Sequence, residues 1–89
     1  MIKAYKIQVF GKVQGVGFRY YTNKKAKELN LKGFVKNLPN GSVYIEVTGE
    51  NVLLERFQLW CTSGPDMARV ERIVANEIPV FEMDGFYIW

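Results

Sequence analysis

The hydrophobic residues of this 89-residue chain change their spacing in a fixed order along the sequence, and that order leaves few folds open. Apolar and polar residues alternate over residues 5–9, as in a strand with one buried face. Residues 19–30 then carry Thr22, Ala26 and Leu29 at helical spacing beside several lysines. A helix is therefore expected to follow the first strand.

The middle of the chain predicts a hairpin and a second helix. Residues 32–38 and 42–49 are rich in strand-forming side chains, and the turn sequence Pro39-Asn40-Gly41 separates them. Large apolar residues recur at helical spacing over residues 53–61, and Gly64-Pro65 is expected to end that helix. Two strands joined by a tight turn, then a helix, are thus expected here.

The C-terminal part predicts two more strands. Residues 68–75 contain β-branched residues in a strand-like context, and residues 80–89 repeat aromatic and β-branched residues. The complete order is β-α-β-β-α-β with a short extra strand at the C-terminus. It predicts an α+β fold of the ferredoxin-like, split βαβ type, in which residues 1–89 form one domain with an antiparallel sheet and two helices on one face.

The loop between the first strand and the first helix is rich in glycine. Gly15 and Gly17 can adopt positive φ at no steric cost, so consecutive backbone N–H groups can turn towards one anion. The unpaired N–H groups and the positive dipole end of the following helix favour the same ligand. Arg19 adds a guanidinium that can donate two parallel hydrogen bonds to a phosphoryl group. The loop is a candidate phosphate site; the alternative is a glycine-rich turn followed by a surface arginine.

The composition narrows the chemistry that such a site can perform. The chain has no histidine, which excludes a Ser-His-Asp triad, an imidazole base and histidine-based metal sites. Its one cysteine, Cys61, excludes an intramolecular disulfide and is expected to be a packed, inert thiol in a reducing compartment. Without a leader-like start or a bilayer-spanning apolar run, the protein is expected to be cytoplasmic. A net charge of +3 is too small to indicate nucleic acid.

The chain resembles the acylphosphatase family in two segments that lie one helix apart, Val13-Gln14-Gly15-Val16-Gly17-Phe18-Arg19 and Gly33-Phe34-Val35-Lys36-Asn37-Leu38-Pro39-Asn40-Gly41-Ser42-Val43. The resemblance implies a ferredoxin-like domain that hydrolyses acyl phosphates to a carboxylate and inorganic phosphate, without metal or cofactor. Asn40 stands where many members have aspartate, and Trp89 ends the chain where other residues are expected. Neither departure falls on an expected site residue.

By matching positions, the resemblance implies that Arg19 is the phosphate-binding arginine and that Asn37 orients the attacking water. These two are the expected catalytic residues. In the predicted fold a third strand separates Asn37 from the strand that bears the loop, so the gap is about 10 Å. Asn37 can alternatively be a strand-end residue that bonds the following turn. The expected phosphate-binding residues are Gln14, Gly15, Val16, Gly17, Phe18 and Arg19.

The expected chemistry needs few protein groups. The leaving carboxylate is a weak base and requires no general acid, so the missing histidine is no obstacle. No Asp or Glu lies in either segment, and an oxygen of the substrate is therefore expected to take the proton of the water. Positioning and charge stabilisation remain as the tasks of the protein.

Two other functions stay open at this point. The RRM, an RNA-binding module, shares the element order, but the residues after Lys32-Gly33-Phe34 do not continue as its RNP1 segment and lie on the wrong strand. A non-catalytic acylphosphatase-like binding domain is the second alternative, although Arg19 and Asn37 are both present. The expected partners are a small acyl phosphate and inorganic phosphate, with a monomeric protein and no nucleic acid, membrane, metal or cofactor.

Overall fold

The computed structural model describes all 89 residues as two layers, a five-stranded sheet and two helices that pack on one of its faces. The strand order is β4-β1-β3-β2-β5, with every neighbouring pair antiparallel except β2 and β5. The predicted ferredoxin-like order with an extra C-terminal strand is confirmed. In chain order the elements are β1 (Ile2–Lys12), α1 (Phe18–Glu28), β2 (Lys32–Asn37), β3 (Val43–Glu50), α2 (Asn51–Ser63), β4 (Arg69–Ile78) and β5 (Phe86–Ile88).

The core lies between the sheet and the helices. Alternate residues of the central strands face the helices and are fully buried, as the period of two predicts; they include Ile7, Val9, Ile45 and Val47. Burying each of these side chains stabilises the fold by roughly 1.5–3 kcal/mol. Cys61 lies in this core with 0% exposure, and burial raises the pKa of its thiol. The prediction that this thiol is packed is confirmed.

Strand β1 is longer than predicted, because it does not end where Gly11 opens a loop. A bulge between Phe10 and Gly11 shifts the register, and pairing with β4 continues through Lys12. Gly11 has φ 129°, and a Cβ there would lie 2.2 Å from the carbonyl oxygen of Arg69. Glycine thus allows the bulged strand to stay paired. The glycine-rich loop is shortened to residues 13–17.

The strands at the C-terminal end also differ from the prediction. β4 extends beyond residue 75 to Ile78, because it pairs along nearly the whole of β1. Of residues 80–89, only Phe86–Ile88 form a strand, and its partner is Gly33–Val35 of β2. The aromatic and β-branched composition predicted a strand for residues 80–89, but only three of these residues pair with the outer side of β2.

The topology determines where the functional groups meet. β1 and β2 both pair antiparallel with β3, so they run in the same direction and their C-terminal ends lie at the same end of the sheet. The glycine-rich loop follows β1 at this end, and Asn37 is the last residue of β2. Neither helix is long and apolar enough to cross a membrane.

Candidate active site

The loop of residues 13–17 has the backbone conformation that an anion-binding loop needs. Gly15 has φ 74° and Gly17 has φ 78°, both in the left-handed region that glycine favours. Gly17 is the N-cap of α1, no side chain caps the helix, and its first turn contains no acidic residue. The first N–H groups of α1 are thus left without side-chain acceptors, and they support the positive potential of the helix start.

A cavity of about 290 Å³ opens between this loop and the end of β2. It is lined by most of the predicted site residues, namely Gln14, Gly15, Gly17, Phe18, Arg19 and Asn37. The tertiary structure therefore brings Arg19 and Asn37 to one cavity, although 17 positions and a helix separate them in the sequence. Val16 is the exception, since it lines a different cavity with Tyr21 and Trp60.

Arg19 has no Asp or Glu partner. The side-chain ion pairs of the molecule are those of the Met1 amino group with Glu50 and of Lys25 with Glu28, so no acidic side chain pairs with the Arg19 guanidinium. Its Nη1 donates a hydrogen bond to the main-chain oxygen of Trp89 at 3.1 Å. This single bond orients the side chain and leaves its other donors for an anion.

The side-chain oxygen of Asn37 accepts no hydrogen bond from the protein. Asn37 belongs to the helix-facing side of β2, opposite Val43 of β3, and its Oδ1 is buried without a hydrogen-bond partner in the protein. A buried polar atom without a partner is costly, and each such atom calls for an explanation, of which a catalytic role is one. The side chain of Asn37 makes no hydrogen bond to the following turn, which other side chains hold.

The turn of residues 38–42 is braced by neighbouring amides. Oδ1 of Asn40 accepts hydrogen bonds from the backbone N–H of Ser42 at 3.0 Å and from its hydroxyl, as expected for a turn asparagine. Gln8 of β1 donates to Oγ of Ser42 at 2.8 Å, and Gln14 of the loop donates to two backbone carbonyls of the turn. The strand end that bears Asn37 is thus held from several sides.

Residues that sequence reasoning did not assign also lie at the site. Val13, Tyr20 and Ile88 line the cavity, and Trp89 contacts Arg19 through its backbone. Tyr20 and Ile88 are 59% and 46% exposed and lie at the cavity mouth. The sequence signal for Tyr20 and Trp89 is their aromatic character, which suits either the acyl part of the substrate or packing, and no sequence signal identifies Ile88.

Acidic residues are missing from the cavity wall, which contains neither Asp nor Glu. Groups of three or more His, Cys, Asp or Glu side chains that could hold a metal ion are also not found in the molecule. The electrostatic character of the cavity is therefore set by Arg19, by backbone N–H groups and by the amide of Asn37. These groups suit a phosphoryl group and a water molecule.

The face of the sheet away from the helices carries an aromatic cluster. Trp89 stacks on Phe34 with ring centroids 4.0 Å apart, and Tyr44 lies 6.2 Å from Phe34. Tyr44 donates to Glu46 at 2.7 Å; burial, and then this hydrogen bond, raise the pKa of Tyr44 to about 12. The side chain of Trp89 therefore packs on the open face, and only its backbone reaches the cavity edge.

The chain matches known acylphosphatases over nearly its whole length. A family model described as Acylphosphatase matches residues 5–88. A curated acylphosphatase from Archaeoglobus fulgidus is 44% identical over 85 residues, which are 96% of this chain and 96% of that protein.

Solved structures show the same similarity. The structure of an acylphosphatase from Coxiella burnetii superposes with a TM-score of 0.96 at 38% identity, covering 99% of this chain and 93% of that one. The crystal structure of full-length HypF in a phosphate- and nucleotide-bound form matches with a TM-score of 0.88 at 36% identity. That match covers 100% of this chain but 12% of HypF.

Proposed function

Because the chain belongs to the acylphosphatase family, we propose that Arg19, Asn37 and the loop of residues 13–17 form its catalytic site. The activity is the hydrolysis of the carboxyl–phosphate anhydride bond of acyl phosphates to a carboxylate and inorganic phosphate. The observation that carries the residue assignment is the shared cavity, since Arg19, which has no Asp or Glu partner, and Asn37, whose side-chain oxygen has no hydrogen-bond partner, line the same 290 Å³ space.

The phosphoryl group binds at the loop and Arg19. Backbone N–H groups of residues 14–19 donate to its oxygens, with Gly15 and Gly17 providing the positive φ values that turn these groups inward. Arg19 donates two further hydrogen bonds and balances the charge that spreads over the equatorial oxygens in the transition state. Its bond to Trp89 orients the guanidinium before the substrate binds.

The attacking water binds at Asn37. Its side-chain amide, which can both accept and donate a hydrogen bond, holds the water so that a lone pair of the water points towards phosphorus. Since no carboxylate lines the cavity, the proton of the water passes to an oxygen of the substrate. The carboxylate then leaves unprotonated, because it is already a weak base.

The chain as a whole is proposed to be a single catalytic domain. Its 44% identity to the Archaeoglobus fulgidus acylphosphatase over 96% of both chains supports a catalytic domain over a non-catalytic binding domain. We also propose a monomer that acts in the cytoplasm on small acyl phosphates, without nucleic acid or metal. The buried free thiol of Cys61 suits a reducing compartment.

Release of phosphate from benzoyl phosphate tests the function directly. We expect hydrolysis to continue after exhaustive chelation. Inorganic phosphate should compete with the substrate. It should also raise the free energy of unfolding by RT ln(1 + [L]/Kd), which is seen as a higher melting temperature. Activity that EDTA abolishes and a divalent ion restores would contradict the metal-free mechanism. Absence of hydrolysis by the folded protein would contradict the function itself.

Replacing Gly15 by alanine tests the backbone part of the site. The substitution Gly15→Ala should weaken phosphate inhibition roughly a hundredfold, about 3 kcal/mol, because alanine disfavours φ 74° and turns an N–H group away from the anion. A Cβ at Gly15 meets no atom within 4 Å, so the fold should persist. The measurement is the phosphate inhibition constant.

Gly41→Ala is the matched control for that variant. Gly41 has φ 91°, and a Cβ there also meets no atom within 4 Å, but Gly41 lies in the turn and outside the cavity. Both variants should lose a similar stability, roughly 1–2 kcal/mol, while phosphate affinity falls only in Gly15→Ala. Equal phosphate affinity in the two variants would mean that the loop is only a turn.

A further inference from the structure

The side chain of Gln14 joins the loop to the turn that follows Asn37. Its Nε2 donates one hydrogen bond to the carbonyl oxygen of Leu38 at 2.8 Å and another to that of Ser42 at 2.9 Å. Both hydrogens of the amide are therefore used on backbone acceptors that lie 24 and 28 residues further along the chain. The side chain has no donor left for a phosphoryl oxygen.

The two acceptors are the carbonyls at the ends of the turn. Leu38 O also accepts from the N–H of Gly41 at 3.1 Å, and Ser42 O also accepts from the N–H of Leu38 at 2.9 Å. The side-chain amide of Gln14 therefore binds the carbonyls at both ends of the turn. Asn37 directly precedes Leu38, so whatever holds Leu38 also holds the strand end from which the Asn37 side chain reaches the cavity.

We propose that Gln14 is a positioning residue of the hydrolysis, which holds the phosphate-binding loop and Asn37 at the separation that the in-line attack needs. The proposal rests on the proposed function, since it assumes that the loop binds phosphate and that Asn37 binds the water. Gln14 contributes its backbone N–H to the loop, while its side chain acts through Asn37. A misplacement of about 1 Å between two reacting groups can lower a rate about a hundredfold, which makes this separation critical.

The chemistry of the contact restricts which side chains can replace glutamine. Ionised glutamate has no hydrogen to donate and would direct a negative charge at two carbonyl oxygens. Methionine has a similar length but no donor. Asparagine keeps the amide but is one methylene shorter, so it cannot reach both carbonyls from the same backbone position.

The test compares Gln14→Met with Gln8→Met. Gln8 braces the same turn, donating to Oγ of Ser42 at 2.8 Å, but it belongs to β1 and is outside the loop and the cavity. We expect Gln14→Met to lower kcat for benzoyl phosphate about a hundredfold while the phosphate inhibition constant changes less than about threefold. Gln8→Met should change neither value by more than about threefold. An equal loss of kcat in both variants would contradict the proposal, because it would mean that Gln14 only stabilises the turn.

A double-mutant cycle shows whether Gln14 acts through Asn37. In the Asn37→Ala background, the water is no longer oriented, and Gln14→Met should lower kcat less than about threefold further. If the second substitution lowers kcat by the same factor in both backgrounds, the two residues are independent and the positioning role is wrong. That outcome leaves the proposed function intact, whereas normal turnover by Asn37→Ala alone would contradict the proposed function instead.

Gln14→Asn covers the case in which Gln14→Met does not fold. The shorter amide keeps a polar group at the turn, which favours folding, but it can satisfy only one of the two carbonyls. We expect a smaller loss of kcat, about tenfold, with phosphate inhibition near the wild-type value. Wild-type kcat in folded Gln14→Asn would overturn the proposal.

Discussion

Arg19→Ala should lower kcat/KM for benzoyl phosphate about a thousandfold or more and should also weaken inhibition by inorganic phosphate. The guanidinium is the only charged side-chain group that lines the cavity and it has no Asp or Glu partner, so its removal takes away the main side-chain charge that an anion meets there. In the proposed mechanism it contacts the phosphoryl group both before and during the reaction. Binding and turnover should therefore decline together.

Arg19→Lys is the informative control for this prediction. Lysine keeps the positive charge but cannot donate two parallel hydrogen bonds in a fixed plane, so we expect phosphate affinity to recover more than kcat does. Arg19→Ala loses the bond to Trp89 and Arg19→Lys changes its donor, which makes the melting temperature a necessary check. Unchanged phosphate inhibition in folded Arg19→Ala would show that the anion binds elsewhere.

Asn37→Ala should lower kcat by a factor of roughly a hundred to a thousand and leave phosphate inhibition near its wild-type value. The side chain is assigned to the attacking water, and a group that holds the nucleophile contributes little to holding the substrate. Removing it also removes the buried Oδ1 that has no partner in the protein, so the free energy of unfolding should change little.

The control for Asn37→Ala is Asn40→Ala, three residues away. Asn40 holds the backbone N–H and the hydroxyl of Ser42, so its loss loosens the same turn while the Asn37 side chain stays in place. Asn40→Ala should lose stability but retain most of its turnover. A severe loss of phosphate affinity in Asn37→Ala, comparable with that of Arg19→Ala, would contradict the separate roles of the two residues.

Local pattern predicted the helices better than the strands. α1 and α2 show their periodicity over three turns of consecutive sequence, and the buried stripe Thr22 and Ala26 was placed correctly. Strand length depends on a partner. β4 is longer than predicted because β1 is available beside it, and β5 is shorter because it pairs with only three residues of β2.

The sequence by itself determined the element order, the glycine-rich loop and the two residues expected to act on the phosphoryl group and the water. These features have local causes: hydrophobic period sets the element type, and positive φ at Gly15 and Gly17 requires glycine. The paired segments of the acylphosphatase family then identified Arg19 and Asn37. The family comparison confirms the activity, whereas the roles of the two residues stay predictions.

Only the tertiary structure decided how the site is held together. The bond from Arg19 to the main-chain oxygen of Trp89 spans 70 residues, and the bonds from Gln14 to the turn span 24 and 28. Such contacts produce no pattern in the sequence, because every residue has a main-chain oxygen that can accept a hydrogen bond. Which of these oxygens lies within reach depends on the packing of the whole sheet. The residue types of the site can therefore be read from the chain, but their spacing in the cavity is a property of the fold.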